Sequence, residues 1–221
     1  LLMFIRVRLF IEVFSGSGRL AAAAAASATR QSGGSHASAL AASIGVEDSD
    51  VIRICQPVAQ EENSVVSAVN FNSPGQVVIA GDVAAVDIAI SALKEAGAKR
   101  ALPLPVSAPF HTQLMKPAGE HLAEVMAGMM IASPKIPVVH NVNATVEPDP
   151  EKIRTLLVEQ IYSPVQWTAC MRRVIEAGAQ HIVECGPGKV LSGLSRRIEK
   201  TLHCYSLEEP EALLATAAEL K

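Results

Sequence analysis

Hydrophobic and polar positions follow an orderly pattern from Ser38 to about residue 107 and predict six elements. Four short runs rich in Val, Ile, Leu and Ala are typical of strands, and two stretches with helical spacing lie among them. The strands are predicted at 39–44, 65–71, 76–80 and 100–106, and the helices at 51–55 and 83–96. Asn72-Ser-Pro-Gly75 predicts a tight turn between the second and third strands. The order β-α-β-β-α-β is that of a ferredoxin-like unit.

The rest of the chain alternates helix and strand patterns. Helices are predicted at 113–129, 150–161, 168–178 and 189–201, and strands at 138–142 and 181–185. The first of these helices carries an apolar stripe through Leu122, Val125 and Met129. Asp149 followed by Pro150 predicts the N-terminus of the second. This alternation predicts α/β layering with parallel strands.

Residues 1–37 differ from the rest in composition. An apolar stretch with two arginines is followed by Ser/Gly-rich and alanine-rich runs, which is a low-complexity composition. Four arginines against one glutamate are compatible with an organelle transit peptide. A secretory signal is disfavoured because Arg6, Arg8 and Glu12 interrupt the apolar region. A segment that is not native coding sequence is the third alternative, and composition does not separate the three.

Composition narrows the class of protein. The chain has 221 residues, 49% hydrophobic and 19% charged, as expected of a globular protein with a substantial core. A net charge of −3 gives no electrostatic footprint for nucleic acid, and no apolar run is long enough to predict a membrane span. The four cysteines show no CxxC spacing, which argues against a zinc site or a disulfide framework. Reduced thiols are expected, as in the cytosol or an organelle matrix.

His111 is the strongest candidate for chemistry. It follows a proline-bounded extended run and precedes a helical pattern, where an α/β protein tends to hold a catalytic base. The alternative is a loop histidine without chemistry. The loop at 186–191 fails both the Walker and the GxGxxG patterns and is better explained as a strand-to-helix turn. No GxSxG nucleophile elbow is present, and His140 and His181 are expected to be structural.

Five ordered blocks resemble the malonyl-CoA:acyl-carrier-protein transacylase family of fatty-acid synthesis. They are NFNSPGQVVIAG at 70–81, KRALPLPVSAPFH at 99–111, PVVHNV at 137–142, YSPVQW at 162–167 and ECGPGKVL at 184–191. The resemblance covers about residues 38–221 and implies part of an α/β-hydrolase-like large subdomain with an inserted ferredoxin-like small subdomain. We therefore expect an aberrant segment at 1–37, the small subdomain at 38–107, and the C-terminal part of the large subdomain at 108–221.

The resemblance also implies a reaction and residue roles. Malonyl would pass from coenzyme A to the phosphopantetheine thiol of acyl carrier protein through a malonyl-serine, with no cofactor. His111 would be the general acid and base, and the backbone carbonyl of Gln160 would orient it. Asn72 would line the active-site cleft, although its turn role explains it equally well. Phe110 before the histidine accompanies malonyl use in related acyltransferase domains, and an aromatic wall would exclude an α-methyl group.

The family's N-terminal half, with the nucleophilic serine, does not map onto residues 1–37. We therefore expect this chain alone to be inactive, with central strands of its large subdomain missing; Ser35 is our first candidate for a replacement nucleophile. The alternative is a truncated, non-catalytic protein that binds acyl carrier protein or serves as a partner subunit. Malonyl-CoA and acyl carrier protein are the expected partners, with no nucleic acid or membrane, and the family implies a monomer. The expected location is cytoplasmic, or an organelle matrix if 1–37 is a transit peptide.

Overall fold

The computed structural model describes the backbone of residues 2–5, 9–12, 38–61, 63–104 and 109–220, and the side chains of the last three of these ranges. Within them the strands are β1 (Leu2–Ile5), β2 (Leu9–Glu12), β3 (Ser38–Ile44), β4 (Val66–Ser73), β5 (Gln76–Asp82), β6 (Arg100–Leu104), β7 (Val138–Val139), β8 (His181–Cys185) and β9 (His203–Ser206). The helices are α1 (Asp48–Glu61), α2 (Val83–Glu95), α3 (Lys116–Ala127), α4 (Pro150–Glu159), α5 (Trp167–Glu176), α6 (Val190–Ile198) and α7 (Pro210–Glu219), with a 3₁₀ turn at Gln113–Met115.

The smaller of two sheets is a four-stranded antiparallel sheet with the order β4-β5-β3-β6. Helices α1 and α2 pack on it and form a core with Val51, Ile79, Val86 and Leu93, which are fully buried. The predicted ferredoxin-like order of elements is confirmed. Gly81 is required where β5 passes the start of β4, because a β-carbon there would overlap the Val65 carbonyl.

The second sheet has five strands in the order β7-β2-β1-β8-β9. The β8–β9 and β2–β7 pairs are parallel, whereas β1 is antiparallel to both of its neighbours. Its core surrounds Trp167, Met171, Val174 and Ile182. The strands predicted at 138–142 and 181–185 correspond to β7 and β8, and each has a parallel neighbour. Those neighbours, β2 and β9, were not predicted from the sequence pattern, and neither were β1 and α7. Residues 13–37, with most of the low-complexity segment and Ser35, lie outside the described residues.

Two details of the sequence pattern are wrong. The predicted apolar stripe on α3 does not face the core, because Val125 and Met129 are 53% and 55% exposed. Leu122 is half-buried, and the helix buries Ala118 and Met126 instead. The strand predicted at 138–142 stops at Val139, because the chain turns at once and the His140 amide bonds the Thr145 carbonyl.

Candidate active site

His111 is held in a backbone conformation that is unusual for a residue with a side chain. Its φ is +63°, in the left-handed region that favours glycine. The turn is closed at Thr112, whose hydroxyl and amide both bond the Pro109 carbonyl, at 2.7 and 3.3 Å. The 3₁₀ turn and α3 follow directly. A conformation of this kind is commonly found at functional sites, where the surrounding structure enforces it.

The imidazole of His111 bonds the backbone carbonyl of Gln160. The distance between Nδ1 and the carbonyl oxygen is 2.8 Å, across 49 residues of sequence. Because a carbonyl oxygen only accepts hydrogen bonds, Nδ1 must carry the proton. The neutral ring then keeps its lone pair on Nε2, which is the atom available to take a proton from a nucleophile.

The electrostatics of His111 favour the neutral ring. Burial lowers the pKa of His111 below its usual value of 6.5, because the charged ring is poorly solvated there. Hydrogen bonds with the backbone of Gln160 and Ser163 act in the opposite direction and raise this pKa. Near neutral pH the imidazole is therefore unprotonated on Nε2, as a general base requires.

The end of α4 explains why the Gln160 carbonyl is available. The last carbonyls of a helix have no partner within it, so they accept hydrogen bonds from elsewhere. Gln160 caps α4, and its own amide bonds Leu156. The C-terminal end of a helix also carries partial negative charge, which favours an imidazolium beside it. The predicted N-terminus of α4 is correct, since the Asp149 side chain accepts the Glu151 amide at 2.9 Å.

Phe110 and Asn72 lie in the surroundings of this pair. Phe110 is half-buried and packs against the small apolar cluster of Met115, Ala118 and Ile161. Asn72 is half-buried in β4, at a point where the register with β5 shifts by one residue. Among the described residues, no side-chain hydrogen bond joins either of them to His111 or Gln160.

The segment that follows Gln160 is hydrogen-bonded to β4 of the small sheet. The Val165 amide bonds the Val69 carbonyl at 2.8 Å, and the Phe71 amide bonds the Val165 carbonyl at 3.0 Å. The buried hydroxyl of Thr168 donates to the Phe71 carbonyl at 3.0 Å. One stretch of chain therefore holds both His111 and the strand that carries Asn72. Thr168 was not predicted as a functional residue, because no local pattern marks its contact with Phe71.

The glycine loop at 186–188 is a strand-to-helix turn. The amides at the N-terminus of the helix that follows it, α6, are already hydrogen-bonded to a side chain. Glu184 is fully buried, and its carboxylate accepts the backbone amides of Leu191 at 3.1 Å and Ser192 at 2.8 Å. These amides are the donors that a phosphate would use. The expectation that this loop is not a phosphate site is consistent with that geometry. Glu184 was missed because a glutamate within an apolar strand gives no distinctive pattern.

His181 and His203 contact each other, and two of the described thiols are buried. His181 stacks on His203, with ring centroids 4.9 Å apart, and its Nδ1 lies 3.2 Å from the Tyr205 hydroxyl. Burial raises the pKa of the Cys55 and Cys170 thiols to about 12, so neither is a ready nucleophile. Within the described ranges, no group of three or more metal-ligating side chains occurs. No helix in the described part of the chain is long and apolar enough to span a membrane.

Comparisons with known proteins point to one family. No family model matches the chain. It is 51% identical over 177 residues to malonyl CoA-acyl carrier protein transacylase of Escherichia coli (strain K12), which is 80% of this chain and 57% of that protein. It is 40% identical over 183 residues to the transacylase of Bacillus subtilis (strain 168), again covering 57% of that protein. The chain thus spans little more than half the length of these relatives.

Solved structures that resemble this chain belong to the same family of transacylases. An acyl-carrier-protein S-malonyltransferase from Burkholderia pseudomallei 1710b superposes with a TM-score of 0.83 at 42% identity, over 90% of this chain and 63% of that one. A second match is a malonyl-transacylase solved in complex with a type II PKS acyl-carrier protein, with a TM-score of 0.82 at 42% identity. That match covers 91% of this chain and 62% of the other. The α/β fold with two subdomains is therefore shared.

Proposed function

This chain is a homologue of the malonyl CoA-acyl carrier protein transacylases, and from that premise we propose that it supplies the general acid and base of a malonyl transfer site. The observation that carries the proposal is the 2.8 Å contact between His111 Nδ1 and the Gln160 carbonyl. That contact leaves Nε2 free to exchange protons with a nucleophile and a leaving group. The small and large subdomains are proposed at 38–107 and 108–221.

The proposed reaction has two symmetrical halves. His111 Nε2 takes the proton of a serine hydroxyl while the serine oxygen attacks the thioester carbonyl of malonyl-CoA. The carbon–sulfur bond then breaks, and the imidazolium returns its proton to the departing coenzyme A thiolate. In the second half, His111 takes the proton of the carrier-protein thiol, which attacks the malonyl-serine, and returns it to the serine oxygen. The Gln160 carbonyl stabilises the imidazolium in both halves, because its hydrogen bond strengthens when the ring is charged.

The location of the nucleophile remains a prediction. We place it outside residues 38–221, and Ser35 stays the first candidate if this chain carries a replacement. Malonyl-CoA is the proposed substrate and acyl carrier protein the proposed partner, and the chemistry needs no cofactor. A cytoplasmic location is proposed because the relatives are bacterial proteins.

The substrate-facing roles are proposals as well. Asn72 has an uncharged side-chain amide and lies in β4, which Thr168 links by a hydrogen bond to the segment 160–168. Phe110 packs against the cluster of Met115, Ala118 and Ile161, which supports its proposed role as a fixed wall beside His111. A fixed wall discriminates by shape, because a substrate with an additional methyl group finds no room without displacing it.

The test is the intact mass of the purified chain after incubation with malonyl-CoA, with His111→Ala as the control. A malonyl adduct that forms on the wild-type chain and not on the control supports the proposal, and peptide mapping then names the nucleophile. No adduct on the 221-residue chain, followed by transfer when the missing N-terminal part of a relative is supplied in trans, supports a site divided between two segments. Acyl-carrier-protein binding without an adduct under either condition favours the non-catalytic alternative and sinks the proposed chemistry.

A further inference from the structure

The nine residues from Gln160 to Thr168 make two attachments at opposite ends. At the first end, the Gln160 carbonyl accepts the hydrogen bond of His111. At the second end, Val165 and Thr168 bond the backbone of β4. The chain between them is short, so a displacement of one attachment is transmitted to the other.

The strand β4 needs a second partner because it is irregular. It is the edge strand of the small sheet, and its register with β5 shifts between Ala68 and Asn70 and again between Phe71 and Ser73. These shifts leave Val69 and Asn72 without a directly opposed residue on β5. Bulges of this kind bend an edge strand and re-aim its side chains. The orientation of the Asn72 side chain therefore depends on the contacts that fix the backbone of the bulge.

Phe71 lies between Val69 and Asn72, and both its backbone amide and its carbonyl are bonded to the segment 160–168. Its amide donates to Val165, and its carbonyl accepts the Thr168 hydroxyl. Phe71 and Thr168 are 8% and 5% exposed, so water does not readily replace the hydroxyl. A buried carbonyl that loses its donor costs more than the net strength of the bond.

Thr168 is the second residue of α5, and a threonine hydroxyl often bonds backbone groups near it in the sequence. Here it bonds instead to a residue 97 positions away. Its hydroxyl is thus a tertiary contact between α5 and β4 and plays no part in capping the helix.

We propose that Thr168 is a positioning residue, whose hydroxyl fixes the Phe71 carbonyl and with it the bulge that carries Asn72 relative to the segment that holds His111. The consequence for catalysis rests on the function proposed above, whereas the structural claim does not. Thr168 does not touch the reacting atoms; it acts through Asn72 and through the Gln160 segment.

The experiment compares three variants of the 221-residue chain. Thr168→Val keeps the shape and removes the hydroxyl, Thr168→Ser restores the hydroxyl, and Thr216→Val changes a buried helical threonine of α7 in the same way. In Thr168→Val, we expect about tenfold faster hydrogen exchange at the Phe71 and Val165 amides, as for loss of one buried hydrogen bond. We also expect shifted NMR signals for the Asn72 side-chain amide and the His111 ring. Thr168→Ser is expected to restore both, and Thr216→Val to leave both unchanged.

Activity is measured in parallel, with the N-terminal part of a relative supplied if transfer requires it. We expect Thr168→Val to lower kcat about tenfold while KM stays within about twofold, because a group that orients the site acts mainly on the transition state. Unchanged exchange in Thr168→Val overturns the proposal. Faster exchange with unshifted Asn72 and His111 signals also overturns it, since the bond would then be structural only. A wild-type chain that transfers no malonyl even when the N-terminal part of a relative is supplied overturns the proposed function, and the exchange and NMR results still decide the role of Thr168.

Discussion

The carboxylate of Glu184, at the end of β8, accepts the backbone amide of Ser192, in the first turn of α6, at 2.8 Å. The same side chain also accepts the Leu191 amide, so a fully buried carboxyl group closes the N-terminus of a helix. Negative charge at that position is stabilised by the helix dipole and by two donors that have no partner within the helix. The glycine-rich turn at 186–188 brings the strand and the helix close enough for this contact.

Glu184→Ala is expected to destabilise the fold by about 2 to 4 kcal/mol, because it leaves two buried amides unpaired. Glu184→Gln should cost roughly half as much, since its oxygen keeps one amide while its NH₂ faces the other. Urea unfolding followed by circular dichroism measures both. Glu208→Gln is the control, because Glu208 is exposed in the loop before α7. Equal stability of Glu184→Ala and wild type would show that the carboxylate is not holding the helix.

The pKa of His111 predicts how stability changes with pH. Burial lowers this pKa in the folded chain below 6.5, and the pKa of His140 is lowered for the same reason. Above 6.5 neither the folded nor the unfolded state binds the proton, so pH has no effect through these groups. As the pH falls below 6.5, the unfolded chain binds protons first, so stability falls and levels off only below the folded pKa.

The measurement is urea unfolding of wild type and His111→Gln at several pH values from about 7 to about 5. We expect the stability of wild type to fall more steeply over this window than that of the variant, whose remaining slope comes from His140 and other groups. The NMR titration of the His111 ring should give a midpoint below 6.5. Parallel stability curves for the two proteins would show that the folded pKa of His111 is not lowered.

Buried thiols should be excluded as acceptors of malonyl. Cys55 and Cys170 are 2% and 0% exposed, and burial raises the pKa of each to about 12. A thiol with so high a pKa is almost entirely protonated near neutral pH, and the thiolate is the nucleophile. We expect both to resist a thiol reagent in the folded chain and to react at once in concentrated urea, as read by peptide mass mapping. Labelling of either one in the folded protein as fast as in urea would contradict the burial.

Phe110 should affect both substrate choice and packing. Phe110→Ser removes an aromatic ring that packs on Met115, Ala118 and Ile161, so we expect a loss of about 1 to 3 kcal/mol of stability for a half-buried ring. If the ring also forms a wall of the acyl site, the rate ratio of methylmalonyl-CoA to malonyl-CoA should rise by about tenfold or more. Phe110→Leu, which keeps most of the bulk, is the control for packing. A lower stability with an unchanged ratio would assign Phe110 to the fold alone.

The small sheet was predictable from the sequence because its information is local. Short apolar strands, the hairpin turn and the helix at 83–96 can each be recognised within a few residues. The first helix was predicted only at 51–55, whereas α1 is Asp48–Glu61, and the turn is confined to residues 74–75 because β4 continues to Ser73. The last strand, β9, did not, because His203–Ser206 has no apolar alternation and forms only by parallel pairing with β8. The error on α3 has a similar origin, since spacing alone does not tell which face of a helix meets a neighbour.

The candidate site likewise has features that could be predicted from the sequence and features that could not. The position of His111 between an extended run and a helix marked it as a candidate, but left a loop histidine as an equal alternative. Its contact with Gln160 came from the resemblance to a family, because no local pattern links residues 49 positions apart. Neither Glu184 nor Thr168 was predicted. Each makes its main contact with backbone groups, and such contacts produce no recognisable sequence pattern.

The left-handed backbone of His111 predicts that function and stability are opposed at this residue. At φ +63° a β-carbon is strained, whereas glycine is not, and the strain of a non-glycine residue there is about 1 to 3 kcal/mol. His111→Ala and His111→Gly both remove the imidazole and its bond to Gln160, so the difference between them isolates the backbone. We expect His111→Gly to be more stable than His111→Ala in urea unfolding by about 1 kcal/mol, the flexibility of glycine in the unfolded chain offsetting part of the relief. Both variants should be unable to activate a nucleophile. A glycine variant less stable than the alanine variant would show that the backbone at 111 is relaxed, and the conformation would then no longer mark a site where structure is strained to orient a base.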